Sequence, residues 1–133
     1  MISCYLAAYV SARLLRTPNK KRLMRILFTA GLILAALEAV KQLYIYIAIN
    51  HGTYDWWYFP FQLCSVPIYL CILLPITRGR LRAAFLSFMA TYTFISAAAA
   101  LIFPEDFLRA GAPLVFHGFL WHGILLFISL III

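Results

Sequence analysis

The chain predicts an all-α polytopic transmembrane helical bundle, and three observations predict it. The first is composition: of 133 residues, 65% are hydrophobic and 11% charged, and mean hydropathy is +0.96. A soluble chain keeps roughly a quarter of its residues charged. The second is a set of four apolar runs, at about 23–49, 60–76, 82–103 and 111–133. A bilayer core of about 30 Å is crossed by about 20 helical residues. The third is the position of the charges behind the net +7. Arg13, Arg16, Lys20, Lys21, Arg22 and Arg25 precede one apolar run, and Arg78, Arg80 and Arg82 lie between two others. Basic residues flanking apolar segments set membrane topology, so the charge points to a membrane and away from nucleic acid. The expectation is a single integral membrane domain over 1–133, with four full spans and a partial N-terminal helix.

The partial helix is residues 1–15, apolar and too short to cross. It lacks the basic start and small-residue cleavage site of a signal peptide. Thr17-Pro18-Asn19 reads as a turn within the basic loop. The first full span, 23–49, carries Glu38 and Lys41 three residues apart on one face, with Gln42 four residues after Glu38. Ionisable groups inside a span pair, face the bundle interior and mark a site or pathway. A plain structural ion pair is an equal reading of the same residues. Asn50 and Gly52 then turn the chain, and Asp55 through Tyr58 bring aromatic residues suited to the membrane interface.

Pro60 fits the first position of a helix, where the missing N–H costs nothing, so a return span is expected over 60–76. Within it Pro67 would delete a backbone hydrogen bond and distort the helix, as membrane helices tolerate when neighbours satisfy the freed carbonyl. A tight basic loop follows at Thr77-Arg78-Gly79-Arg80. In the span 82–103, Ser87, Ala90, Thr91, Ala97 and Ala98 are small enough for close helix contact. Pro104-Glu105-Asp106 opens an acidic loop, and the last span, 111–133, carries His117 and His122 and runs out in three isoleucines without a polar flank. That ending, with the short first helix, reads as a piece of a longer chain, whose remaining helices or a second copy would complete the bundle. Nine of the eleven Lys and Arg fall in the loops 13–25 and 78–82, and only Arg109 lies opposite, so these two loops are expected on the cytoplasmic side of a plasma membrane.

The residues able to do chemistry are few. Cys4, Cys64 and Cys71 have no C-x-x-C spacing, and His51, His117 and His122 make no H-x-x-x-H pair. On one helix, Cys64 and Cys71 would stand about 10 Å apart along the axis, and His117 and His122 about 140° apart around it. No cofactor and no metal is implied. What remains is a cysteine near one helix start and a histidine near another, on the same side of the membrane. A thiolate activated by a neighbouring imidazole is the general pattern for acyl transfer through a thioester. The bland reading is a small buried cysteine and a packed histidine. On an ideal helix Gln62, Ser65 and Tyr69 share a face while Cys64 is displaced from Gln62 by about 200°, which works against a simple polar pocket.

Leu37-Glu38-Ala39-Val40-Lys41-Gln42, Phe59-Pro60-Phe61-Gln62-Leu63-Cys64-Ser65 and Phe119-Leu120-Trp121-His122-Gly123 resemble successive signatures of the YwaF-like bacterial integral membrane proteins. That family is more remotely similar to eukaryotic multi-pass lipid acyltransferases and to the androgen-induced family of lipid hydrolases. The resemblance covers roughly residues 30–130. It implies Cys64 as nucleophile and His122 as base acting on fatty-acyl lipids. Glu38 and Lys41 become a structural or polar-network element, and with Gln62, His117 and Trp121 they are expected to bind substrate or support the pair. Gln62 stands where many relatives carry histidine, and the chain has fewer spans than the family's six or more. Two alternatives remain: a transporter or substrate-binding component using Glu38 and Lys41, and a structural subunit whose polar residues only join helices.

Overall fold

The computed structural model describes residues 6, 8–10, 13, 19–108 and 111–133, and among these every regular element is helical. The protein is an all-α membrane bundle. Among the described residues, three helices are long and apolar enough to cross a membrane: Lys20–Ile49, Gly79–Ile102 and Ala112–Ile132. Most of the helix expected over 1–15 lies outside the described residues, as do Cys4, Arg16, Thr17, Pro18 and Arg109.

Helix α1, Lys20–Tyr44, starts at Asn19, whose side-chain oxygen accepts the Lys21 N–H at 2.9 Å and satisfies one of the first-turn donors. It runs on into one wider turn, Ile45–Ile49. His51 (φ 48°) and Gly52 (φ 90°) then enter the left-handed region, and the Gly52 N–H reaches the Tyr46 carbonyl at 2.8 Å. This is the usual way to satisfy the last carbonyls and stop a helix. In the loop that follows, Asp55 caps the single turn Trp56–Tyr58 by accepting from the Trp57 N–H at 2.9 Å. Rings of Tyr54, Trp56, Phe59, Phe61 and Tyr69 touch in sequence, with centroids 5.0–5.9 Å apart. The Tyr69 hydroxyl closes the series by donating to the Pro60 carbonyl at 3.0 Å.

The expected return span is built differently. Helix α2 is the short segment Val66–Leu73, and residues 60–65 are turns. Pro67 therefore sits in the first turn of a helix, where an N–H would have no partner, and it distorts nothing. The Ser65 N–H bonds the Gln62 carbonyl at 2.8 Å, so the chain folds back on itself just before the proline. Beyond α2, Thr77 donates its backbone N–H to the Leu73 carbonyl and its hydroxyl to the Leu74 carbonyl, and the Arg82 guanidinium donates to the Thr77 carbonyl. Gly79 (φ 58°) then starts α3, Gly79–Ile102. The short α4, Glu105–Leu108, leads to α5, Ala112–Ile132.

α3 packs along α5, while α2 and α5 both lie on α1. The contact face of α3 is the stripe Met89, Thr93, Ala97 and Leu101, spaced by four. Of the small residues expected to mediate helix contact, Ala97 is buried, Ala90 and Ala98 are partly so, and Ser87 and Thr91 point outward. The Thr91 hydroxyl satisfies itself on the Ser87 carbonyl at 2.8 Å. Facing the leucines and isoleucines of α5, this stripe combines the large Met89 and Leu101 with the small Thr93 and Ala97, so that the two surfaces interlock. At the α1–α2 crossing the backbones meet so closely that a Cβ on Gly31 would stand 2.7 Å from Cys71 Cβ. Cys71, fully buried, in turn lies with its sulfur 3.5 Å from Met89 Sδ.

Candidate functional site

The last turns of α1, the loop before α2 and the first half of α5 line an open-sided cavity of about 620 Å³. Cys64, Gln62, Lys41, His117, Trp121 and His122 all line it, and Trp57, Tyr58 and Ser65 complete the loop side. Glu38 and its neighbour Gln42 do not line the cavity and stand behind this wall.

The wall is held from α1. Glu38 is buried at 5% exposure, and its Oε1 accepts from Lys41 Nζ at 2.8 Å and from Gln42 Nε2 at 2.8 Å. The spacing of three and four residues puts both donors one turn further along the same face. Lys41 Nζ stands 5.9 Å from the centre of the Trp121 ring, within the range of about 6 Å for a cation–π contact. Trp121 is nearly fully buried, stacks on His117 at 5.3 Å and 26°, and donates its indole N–H to the Cys64 carbonyl at 3.3 Å. One tryptophan thus joins the ion pair of α1, a histidine of α5 and the backbone of the cysteine.

Cys64 lies in the turn ahead of α2, so the ideal-helix angles do not apply to it. Its sulfur is 3.8 Å from Gln62 Oε1, and the Gln62 amide N–H reaches back to the Trp57 carbonyl at 3.4 Å. The expected 200° separation of Gln62 and Cys64 is overturned, because two residues apart in a turn can bring side chains together where a helix keeps them apart. Cys71 is removed from the site: Cys64 and Cys71 are both free, but Cys71 sits within α2 against Gly31 and Met89.

On α5, His122 Nδ1 lies 2.8 Å from the Gly118 carbonyl. A carbonyl only accepts, so Nδ1 carries the proton and Nε2 is the basic nitrogen of the neutral ring. His117 and His122 both line the cavity despite their angular separation, because the cavity wraps around the face of α5 that Trp121 occupies. Gln42 was legible as a neighbour of Glu38. Its second role, donation to the Tyr58 carbonyl, joins residues sixteen apart in sequence and leaves no local signal.

A family model described as the TMEM164 family matches residues 1–133. The chain belongs to the TMEM164 family. This is a membrane family, in agreement with the three apolar helices. Neither a curated protein nor a solved structure matches the chain.

Proposed function

We propose that this member of the TMEM164 family is a membrane-embedded lipid-acyl enzyme that works through a thioester on Cys64, with His122 as the base. The observation that carries the reading is that Cys64, in the loop before α2, and His122, whose Nδ1 is held at the Gly118 carbonyl, line the same cavity. The likeness of the Phe59–Ser65 and Phe119–Gly123 segments to the YwaF-like proteins supports it from the sequence.

In the reaction, the Cys64 thiol gives its proton to His122 Nε2 and the sulfur adds to the carbonyl carbon of a lipid ester. The carbon–oxygen bond breaks, and His122 returns the proton to the departing alkoxide. The acyl group now sits on Cys64 as a thioester. A lipid hydroxyl or water, deprotonated by His122, attacks that carbonyl and frees the thiol. Trp121 fixes the Cys64 backbone while this happens. Trp56, Trp57 and Phe61, each about three-quarters exposed, suit the headgroup level where ester bonds lie. In this reading the protein resides in the plasma membrane, with the basic loops 13–25 and 78–82 cytoplasmic and the cavity toward the opposite side. Glu38 and Lys41 are paired with each other, which supports a scaffold role for them over a transport site.

The test is intact mass after incubation with vesicles of mixed phospholipids, for wild type, Cys64→Ser and His122→Ala. Wild type is expected to gain an acyl-sized mass that hydroxylamine removes, Cys64→Ser to trap a hydroxylamine-resistant ester or none, and His122→Ala to lose the adduct. A wild type without adduct and with unchanged lipids overturns the reading. Loss of solute uptake on neutralising Glu38 and Lys41, with Cys64→Ala tolerated, would put transport in its place.

A further inference from the structure

The Cys64 loop has no regular hydrogen-bond ladder of its own, so something outside it must hold it against the bundle. Three side chains do so, and one of them, Tyr69 of α2, donates its hydroxyl to the Pro60 carbonyl at 3.0 Å. Trp121 of α5 donates to the Cys64 carbonyl at its far end. Gln42 of α1 donates to the Tyr58 carbonyl at its near end. A glutamine amide nitrogen carries two protons. Here one goes to Tyr58 and the other to Glu38 Oε1, at 2.8 Å. Both partners are oxygens that only accept, which fixes the nitrogen end of the amide toward them. Glu38 is in turn fixed by Lys41, and Lys41 lies over the Trp121 ring. The ties from α1 and α5 therefore lead back to one ion pair on α1.

We propose that Gln42 is a positioning residue for Cys64: by bridging Glu38 and the Tyr58 carbonyl it holds the 58–64 loop so that the thiol faces the cavity. Gln42 touches neither the thiol nor the space a substrate would occupy. It acts through the loop. The value of that placement for acyl transfer rests on the function proposed above, but the placement itself is measurable without any turnover.

The experiment follows alkylation of Cys64 by a water-soluble maleimide in the detergent-solubilised chain, read by peptide mass mapping, alongside the acyl adduct. Gln42→Met keeps the length of the side chain and removes both donors. Gln42→Lys keeps a donor able to reach both oxygens. Losing a hydrogen bond to a part-buried carbonyl is expected to raise the labelling rate of Cys64 about tenfold in Gln42→Met, while Gln42→Lys stays within about twofold of wild type. Acyl adduct should change in the opposite direction, falling in Gln42→Met and holding in Gln42→Lys. Cys71 reports unfolding in the same spectra. If Gln42→Met also labels at Cys71, the shorter Gln42→Asn decides: it retains the amide but spans one contact, and faster labelling of its Cys64 alone is the expected result. Unchanged Cys64 labelling in a folded Gln42→Met or Gln42→Asn overturns the proposal, and so does equal acceleration by Gln42→Met and Gln42→Lys. A wild type that never acylates, with the labelling pattern as expected, removes the enzyme reading and leaves the positioning role standing.

Discussion

Cys64 and Cys71 are seven residues apart, and the bundle treats them as opposites. Cys71 sits in regular helix, has no exposed surface, and fills the space between Gly31 and Met89. Cys64 sits in a turn, is partly exposed, and is surrounded by amide, indole and imidazole groups around a cavity. The same side chain is a packing unit in one place and a polar wall residue in the other. What separates them is backbone: Pro67 in the first turn of α2 places the helix start between them, so one inherits helix packing and the other does not.

The sharpest way to test that contrast is thiol reactivity. In the folded protein, maleimide should label Cys64 about a hundredfold or more faster than Cys71, since a fully buried group reacts only through opening of the structure. Comparable rates, read by peptide mass mapping, would break the comparison. The next effect is expected at the cavity end. Glu38→Ala leaves Lys41 without its partner, and thermal or denaturant unfolding in detergent should lose about 3 kcal/mol. The double variant Glu38→Met with Lys41→Met should recover much of that loss, because the uncompensated charge is gone.

At the close-packed end, Gly31→Ala puts a methyl group 2.7 Å from Cys71 Cβ. A well-packed interior resists such an insertion, so a loss of about 2 kcal/mol is expected. Cys64 labelling should stay near wild type in this variant, since α2 can shift by its helix while Gln42 and Trp121 hold the loop. The smallest effect is expected for Trp121→Phe, which keeps the ring over Lys41 but removes the indole donor to Cys64. Stability should fall by about 1 kcal/mol, with faster Cys64 labelling as its signature. An unchanged labelling rate would mean that the indole does not hold that end of the loop.

The sequence by itself determined the class. Apolar runs, basic flanks and scarce charge leave no soluble alternative, and three of the expected spans stand as long helices. It also determined the Glu38–Lys41–Gln42 cluster, because three- and four-residue spacing on a helix is a local rule that needs no tertiary contact. The fate of residues 60–76 depended on tertiary structure. The sequence puts the helix start at Pro60 with Pro67 inside the span, but the chain folds back at Gln62–Ser65 and the helix starts at Val66, with Pro67 in its first turn. Which face of α3 is buried was likewise set by α5, since several faces of an apolar helix serve equally well in lipid. The cavity is the furthest from the sequence. It brings together residues from 41, 57–65 and 114–122 through Trp121 and Gln42, and contacts over such separations follow from how helices are rotated against each other, which no local periodicity encodes.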